Sequence, residues 1–321
     1  MRKALVVGID NYSQCPLRGC CNDADEVAKL LSCNDDGSPN FAVKLQKNIS
    51  TKAILRKHIE ECFSGDADVA LFYYSGHGHI DNVGGYLVTP DFTNYDYGVS
   101  LQDVLNIANA SRCKDKIIIL DSCHSGFMGS ISTAGQSTAV INEGVTILTA
   151  SRSIEASVEI NGHGLFTSLL IEALCGGAAD ITGYITPGGI YAYIDKALGP
   201  WERPVFKTNV TRFTPLRKVT PQVDISIIRR ICTYFPSEDA EMPIDPSFEP
   251  TNSLDVMHEV IQPYANPDNT KIFSDLQKLE GIGLVVPVGE EHMYFAAMRS
   301  KTCALTSIGK QYWRLVKDKL I

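Results

Sequence analysis

The chain has 321 residues and a mass of 35.1 kDa. Its 44% hydrophobic and 21% charged residues are typical of globular proteins and exclude a disordered, collagen-like or coiled-coil chain. The formal net charge of −8 disfavours an extended surface for nucleic acid or anionic membrane. No apolar run approaches the roughly 18 residues of a membrane span, and the apolar start ends too early for a signal peptide, so we expect a cytoplasmic protein.

Ten cysteines are spread along the chain without a Cys-x-x-Cys pair. This spacing supports neither the disulfide framework of a small secreted domain nor a structural zinc site. Most of the cysteines lie inside apolar segments. We therefore predict that most of them are reduced and buried.

The first two thirds of the chain alternate short β-branched runs with helical patterns, which predicts a mostly parallel sheet flanked by helices. Strands are predicted at residues 3–9, 41–45, 68–74, 116–120 and 145–150, with an edge strand at 204–207. Helices are predicted after a cap at residue 22 or 23, after Thr51, and at 101–108, 165–175 and 189–198. The predicted fold class is therefore α/β.

The last hundred residues follow a different pattern. Residues 236–250 are rich in proline and acid, which predicts an exposed connection. A helix at 270–279, a hairpin at 284–297 and a final amphipathic helix follow, and this order resembles a winged-helix domain. We predict two domains, 1–220 and 221–321. The second carries 10 Lys and Arg against 14 Asp and Glu, a net charge of −4 that disfavours DNA binding.

Two polar motifs follow apolar strands of the predicted sheet. Residues 75–78 (SGHG) and 121–126 (DSCHSG) each begin where a strand ends. Ligands of parallel sheets bind beyond the carboxyl ends of the strands, so the motifs are expected to converge. A cysteine attacks as thiolate, and a nearby histidine lowers its pKa and returns the proton. His77 and Cys123 are the candidate pair, and the amides of Gly78 and Cys123 are candidate donors to an oxyanion.

Five segments that span nearly all of residues 1–215 form a recognisable set: VVGIDNY (6–12), LRGCCNDA (17–24), FYYSGHG (72–78), IIILDSCHSG (117–126) and RPVFKTN (203–209). In these segments the chain resembles the caspase-like cysteine peptidases, and among them the metacaspases and related bacterial members more than animal caspases. The resemblance implies a caspase-like fold, with His77 as general base and acid, Cys123 as nucleophile, and peptide hydrolysis through a thioester.

The resemblance to metacaspases also implies a specificity pocket lined by Asp23, Ser75 and Asp121, with Cys20 adjacent. Two carboxylates in a partly desolvated pocket would hold a guanidinium or ammonium group through charge-assisted hydrogen bonds. We therefore predict cleavage after Arg or Lys. An alternative role for Asp23 is to cap the helix that follows it.

Other polar residues near the motifs are expected to lie outside the catalytic pair. The side chain of His124, the residue after Cys123, should point away from it, and His163 is predicted on a loop surface. Metacaspases often need calcium, yet Asp81, Asp91 and Asp96 are scattered. A calcium site needs several converging oxygens, so no metal or other cofactor is predicted.

Three functions fit the sequence. The first is a regulated cysteine endopeptidase. Its partners would be a protein or peptide substrate with Arg or Lys before the cut, and an activator bound by the second domain. Its role in bacterial stress, cell death or antiphage defence is implied by the resemblance alone. The second is a catalytically silent scaffold, which the presence of His77 and Cys123 disfavours. The third is a transcription factor with a sensor domain, which the acidic charge disfavours.

Overall fold

The computed structural model describes residues 1–122, 131–133, 136–138, 140–150, 159–160, 163–198, 204–251 and 256–321. The chain divides into two compact units, Met1–Thr220 and Pro221–Ile321. Among these described ranges, no helix is long and apolar enough to cross a membrane.

The first unit contains fifteen strands and five helices within its described ranges. The strands are β1 (Arg2–Gly8), β2 (Ala42–Lys47), β3 (Val69–Ser75), β4 (Gly78–Ile80), β5 (Gly85–Thr93), β6 (Asp96–Ser100), β7 (Asp115–Asp121), β8 (Ile131–Thr133), β9 (Gln136–Thr138), β10 (Val145–Thr149), β11 (Glu159–Ile160), β12 (His163–Gly164), β13 (Tyr184–Ile185), β14 (Val205–Asn209) and β15 (Arg217–Lys218). The helices are α1 (Cys20–Ser32), α2 (Lys52–Phe63), α3 (Leu101–Ala110), α4 (Leu165–Glu172) and α5 (Pro187–Ala197), and a π-helical turn, Ala173–Gly177, follows α4.

Six of these strands form the central sheet in the order β14-β10-β7-β3-β1-β2. All neighbours are parallel except β14, which pairs antiparallel with β10 at one edge. The predicted mostly parallel α/β sheet is confirmed, and each of its strands lies within two residues of its predicted ends.

The sheet is covered on both faces because its strands are apolar on both sides. Along β1, Leu5 and Val7 enter one core cluster while Ala4 and Val6 enter the other, as the alternation of side chains along a strand requires. The first cluster packs against α2 and α3, and the second against α1, α4 and α5. Strands buried on both faces produce the continuous apolar runs seen in the sequence.

Helix α1 begins earlier than predicted and is capped by a different residue. The backbone amides of Cys20 and Cys21 donate to the Asp10 carboxylate at 2.9 and 3.1 Å, so an acid just beyond β1 satisfies the start of the helix. Asp23 therefore lies inside the first turn and does not cap α1. Its side chain is free to face the sheet.

A small antiparallel sheet with the order β4-β5-β6 follows the first polar motif. The sequence analysis did not predict it. Turn residues at Asp81–Gly84 and around Tyr95, whose φ is +69°, mark its two connections and were the available signal. The sheet extends the chain directly from His77, so its first strand fixes the backbone beside that residue.

The second unit contains α6 (Ile225–Arg229), α7 (Ile231–Tyr234), β16 (Glu241–Pro243), a 3₁₀ turn (Pro246–Phe248), α8 (Pro267–Gly281), β17 (Val285–Val288), α9 (Met293–Met298), β18 (Thr302–Leu305) and α10 (Ser307–Lys317). Its sheet is antiparallel in the order β16-β18-β17. The hairpin predicted at 284–297 is wrong, because α9 separates the two strands. Met293, Ala296 and Ala297 are buried on one face of α9, a helical spacing. This order replaces the hairpin that suggested a winged helix.

The prediction of residues 236–250 as an exposed connection is wrong for the second half of the segment: residues 236–243 are exposed or half-buried, whereas residues 244 and 246–249 are buried. The segment supplies β16 to the sheet, and Pro246, Ser247 and Phe248 are buried. A 3₁₀ turn can bury an apolar residue without regular periodicity, which is why the pattern misled.

The cysteines are less buried than predicted. All nine that the structure describes are free, and four are buried: Cys20, Cys62, Cys113 and Cys303. Cys15 and Cys175 are exposed because they lie outside the strands and α-helices. Cys123 lies outside the described residues.

Gly8 provides a test of the contact between β1 and α1. A Cβ atom there would lie 2.2 Å from the Cys20 carbonyl oxygen and 2.9 Å from the Ala24 Cβ, so α1 would have to move. We expect Gly8→Ala to lower the free energy of unfolding by about 2 kcal/mol or more, measured by urea denaturation. Gly84→Ala is the matched control, since a Cβ there meets nothing within 4 Å. Equal stability of the two variants would contradict the close contact.

Candidate active site

The candidate site lies at the carboxyl ends of three adjacent parallel strands. Ser75 ends β3 and pairs in register with Gly8 of β1 on one side and Asp121 of β7 on the other. Ser75 and Asp121 lie two residues after Tyr73 and Ile119, which belong to the core cluster under α1 and α4. Because side chains repeat every two residues along a strand, both polar side chains face those helices.

Asp23, on helix α1, lies next to the carboxyl ends of these strands. It is 1% exposed. Its Oδ2 accepts hydrogen bonds from Ser75 Oγ at 2.9 Å and from the Gly164 amide at 3.4 Å. Its Oδ1 lies 2.8 Å from His163 Nδ1. Asp23 is thus joined to β3 and to β12 as well as to its own helix.

Asp121 is the second buried acid of the site, 7% exposed. Its Oδ2 accepts from the Thr167 hydroxyl at 2.6 Å and from the Thr167 amide at 3.2 Å. The Tyr73 hydroxyl lies 2.6 Å from the same Thr167 oxygen. Since Thr167 gives its one hydroxyl proton to Asp121, Tyr73 must be the donor to Thr167. Helix α4 therefore holds Asp121 in place.

Gly164 lies between the two acids. A Cβ atom at this position would lie 2.6 Å from Asp121 Oδ2 and 3.5 Å from Asp23 Oδ2. The backbone conformation is an ordinary extended one, so space and not torsion requires glycine here. The two carboxylates are close enough to repel each other electrostatically.

Burial dominates the ionisation of the pocket. It raises the pKa of Asp121 to about 6, with the Thr167 hydrogen bonds opposing the shift and the Asp23 charge adding to it. Burial also raises the pKa of Asp23, against hydrogen bonds from His163, Ser75 and Gly164. The pocket therefore reaches its full negative charge only above about pH 6.

Cys20 lies in the same cluster and is buried. Burial raises the pKa of its thiol far above neutrality, and the charges of Asp10, Asp23 and Asp121 add to the shift. The thiol is therefore neutral at physiological pH and presents a small, weakly polar surface to the two acids. The structure thus brings together all four predicted pocket residues, namely Cys20, Asp23, Ser75 and Asp121.

His77 is held by a network of tyrosine hydroxyls. Its amide donates to Tyr12 Oη at 3.1 Å, and its carbonyl accepts from Tyr74 Oη at 3.1 Å. The imidazole Nε2 lies 2.7 Å from the Cys15 carbonyl oxygen. Because a carbonyl can only accept, the proton lies on Nε2, and Nδ1 is the nitrogen that can exchange a proton with a thiol.

The glycines beside His77 have different roles. A Cβ on Gly76 would lie 2.6 Å from Tyr74 Oη and 2.7 Å from Tyr12 Oη, so the tyrosine network requires glycine there. Gly78 is opposite Leu87 in the ladder, and the flanking amide of Val88 donates to the His77 carbonyl at 2.9 Å. In this antiparallel pattern the amide of Gly78 points away from β5 and is available to a ligand.

Cys123 and His124 lie outside the described residues. The chain just before them is described: Ser122 is buried, and the Asp121 carbonyl accepts from the Gly76 amide at 3.3 Å. The strand end that leads to residue 123 thus runs beside the segment that leads to His77.

The prediction that His163 lies on a loop surface is wrong. Its side chain is 27% exposed and contacts a buried acid. The sequence analysis also missed Thr167, Gly164 and the Tyr12 hydroxyl. A second Gly-His-Gly triplet at 162–164, directly before α4, was the available signal for His163.

The three scattered acids after the first motif serve local structure. Asp81 accepts from the amides of Val83 and Gly84 in a turn. Asp91 accepts from the Lys52 amide at the start of α2, and Asp96 pairs with the Lys52 ammonium at 2.7 Å. In the part of the chain that the structure describes, no three His, Cys, Asp or Glu residues form a group that could hold a metal ion.

A mostly parallel sheet covered by helices on both faces is the architecture of a caspase-type α/β protein. The family model described as the caspase domain, peptidase C14, matches residues 1–186. The chain therefore belongs to the caspase-domain family of cysteine peptidases.

Two solved structures are similar to the chain at low identity. A protein from Geobacter sulfurreducens has 15% identity and a TM-score of 0.48, over 68% of this chain and 99% of its own. Caspase-1 from Spodoptera frugiperda has 16% identity and a TM-score of 0.48, over 68% and 90%. A search of curated proteins found no match.

The raised pKa of Asp121 predicts a stability cost that can be measured. Its folded pKa of about 6 exceeds the ordinary 3.8, so the native state loses stability as pH rises from about 4 through 6. In the Asp121→Asn variant the side chain is neutral at every pH, and its amide oxygen still accepts the hydrogen bonds from Thr167. We expect the variant to be more stable than the wild type by about 2–3 kcal/mol at pH 7.5, and the difference to fall below about 1 kcal/mol near pH 4. Urea denaturation at both pH values measures it; a difference independent of pH would contradict the shift.

Proposed function

We propose that the chain is a cysteine endopeptidase that hydrolyses peptide bonds after Arg or Lys, with His77 and Cys123 as its catalytic dyad. The observation that carries the proposal is the pair of buried carboxylates, Asp23 and Asp121, at the strand ends beside His77. In the described part of the chain, the hydrogen-bond donors that reach them are Ser75, Gly164, Thr167 and His163. Three of these donors are neutral groups.

A substrate cation would supply the positive charge that complements these two acids. Two carboxylates that are withdrawn from water and paired mostly with neutral donors favour a positive charge between them. A guanidinium offers five N–H donors in a planar fork, and an ammonium offers three. Both groups match the acids, so Arg and Lys are the side chains expected before the cut.

The register of the sheet supports the proposed dyad. Ser75 and Asp121 are ladder partners, and each lies two residues before a member of the pair, His77 and Cys123. The Gly76 amide and Asp121 carbonyl continue the pairing beyond the ladder. The two reactive groups therefore leave neighbouring strands at matched positions.

The proposed reaction follows from these groups. His77 takes the thiol proton on Nδ1 while Nε2 stays bonded to the Cys15 carbonyl. The Cys123 thiolate attacks the substrate carbonyl carbon, and the amides of Gly78 and Cys123 stabilise the oxyanion. The imidazolium gives its proton to the leaving amine as the C–N bond breaks and a thioester forms. His77 then deprotonates water, which hydrolyses the thioester and releases the acid and the thiol.

Two other functions fit the structure less well. A catalytically silent scaffold gains nothing from burying Asp23 and Asp121, since each buried acid lowers stability above its pKa. A DNA-binding function needs free cations, yet Lys310 and Arg314 on α10 pair with Asp239 and Glu238, both at 2.5 Å. We propose instead that the second unit recruits a protein activator or the substrate, and that the peptidase acts in a stress, cell-death or antiphage response.

A panel of fluorogenic peptides tests the proposed activity. We expect the wild type to cleave after Arg and Lys and not after Asp, because the pocket is anionic. Cys123→Ala and His77→Ala should lower kcat/KM by at least about 10³-fold, since each removes a reacting group. A folded protein that shows no Cys123-dependent cleavage of any peptide in the panel would overturn the peptidase proposal in favour of a scaffold.

The pH dependence of specificity tests the role of Asp121. We compare kcat/KM for one peptide with Arg and for the same peptide with citrulline, a neutral isostere, because their ratio cancels the titration of the dyad. The ratio should rise from pH 5 to 7.5 with a midpoint near pH 6, as Asp121 loses its proton. Asp121→Asn should abolish the rise. A flat ratio in the wild type would contradict this role of Asp121.

A further inference from the structure

His163 joins the pocket from a separate part of the chain. It forms β12 with Gly164, pairs with β11, and leads directly into α4. Its Nδ1 lies 2.8 Å from Asp23 Oδ1, although the two residues are 140 positions apart. Thr167, four residues further on, holds Asp121. A single stretch of five residues therefore contacts both acids.

The two acids receive different hydrogen bonds. Asp23 accepts from Ser75 and Gly164 on Oδ2 and from His163 on Oδ1. In the described ranges, the bonds to Asp121 both come from Thr167 and both end on Oδ2. Asp23 thus has donors on both oxygens, and one of them can carry a charge.

We propose that His163 is the positioning residue of the two acids: its Nδ1–H donates to Oδ1 of the buried Asp23 at 2.8 Å and so favours the ionised form of Asp23 over that of Asp121, which is held by the neutral donors of Thr167. An ionised carboxylate can only accept, so the hydrogen bond places a proton on Nδ1. The consequence for substrate selection rests on the proposed function. The effect on Asp23 itself does not.

Like-charge repulsion makes such an assignment necessary. Two nearby buried carboxylates resist ionising together, and a donor to one of them decides which acid holds the proton. The side-chain hydrogen bond from His163 is the largest effect opposing the burial of Asp23. This hydrogen bond therefore favours the arrangement in which Asp23 is ionised and the proton lies on Asp121, whose pKa burial raises to about 6.

The other titratable groups that face Asp23 stay neutral near pH 7. These are the Cys20 thiol on α1 and the Tyr73 phenol on β3, and burial raises the pKa of both far above neutrality. Among the described residues around Asp23, Asp121 is therefore the other acid whose charge changes below pH 7. Removing Asp121 by substitution isolates the effect of His163.

The first test follows the Asp23 carboxyl directly and needs no activity. Carbon-13 NMR of protein labelled at aspartate Cγ is recorded from pH 3 to 8 in the Asp121→Asn background, with the Asp23 signal assigned by Asp23→Asn. We expect His163→Ala to raise the midpoint of Asp23 by about one pH unit or more, the worth of a hydrogen bond to a charged group. His163→Asn should restore the midpoint, because its amide nitrogen replaces Nδ1 as a neutral donor.

The second test measures the ratio of kcat/KM for Arg and citrulline peptides from pH 5 to 7.5 with Asp121 intact. His163→Ala should shift the midpoint of this ratio upward by up to about one pH unit, and His163→Asn should restore it, with the change appearing in KM. His58→Ala is the matched control and should leave the midpoint unchanged, because His58 lies on α2, which packs on the opposite face of the sheet from α1, and its Nδ1 contacts Lys44 Nζ at 2.9 Å and Glu61 Oε2 at 3.3 Å.

The outcomes separate this inference from the proposed function. An Asp23 midpoint that is equal in His163→Ala and its parent, or that His163→Asn does not restore, overturns the role of His163 whatever the activity. A wild type without preference for Arg overturns the proposed function, and the Asp23 titration then decides the role of His163 alone.

Discussion

The burial of two carboxylates at one end of a parallel sheet is the constraint on which the first unit depends. The removal of the Asp23 and Asp121 carboxylates from water destabilises the folded state. Hydrogen-bond donors from three other segments partly offset that cost. Ser75 comes from β3, His163 from β12 and Thr167 from α4. These contacts form only when α1, β3, β7 and α4 lie in one arrangement, so the two acids and the core share the same packing.

The central sheet provides that arrangement through its register. Ser75 is placed between Gly8 and Asp121 by ladder hydrogen bonds, and the absence of a side chain on Gly8 lets α1 approach closely enough for Asp23 to reach the strand edge. Stability is lost where acids are buried, a pattern common at functional sites.

The second unit lies beyond residues 1–186, which the caspase-domain model matches. Lys310 and Arg314 on α10 pair with Asp239 and Glu238 of the segment before β16. These ion pairs reduce the positive charge of the final helix, which belongs to a domain of net negative charge.

The sequence by itself determined the strands of the central sheet, the capped helix after Thr51 and the place of both polar motifs, because alternation, apolar runs and caps are local signals. It did not determine α9 or the buried turn at 246–248, where short elements gain their stability from contacts across the second unit. Only the tertiary structure decided that His163 and Gly164 contact the Asp23 carboxylate. Their contact joins residues 140 positions apart, and a hydrogen bond between distant residues leaves no periodicity in either segment.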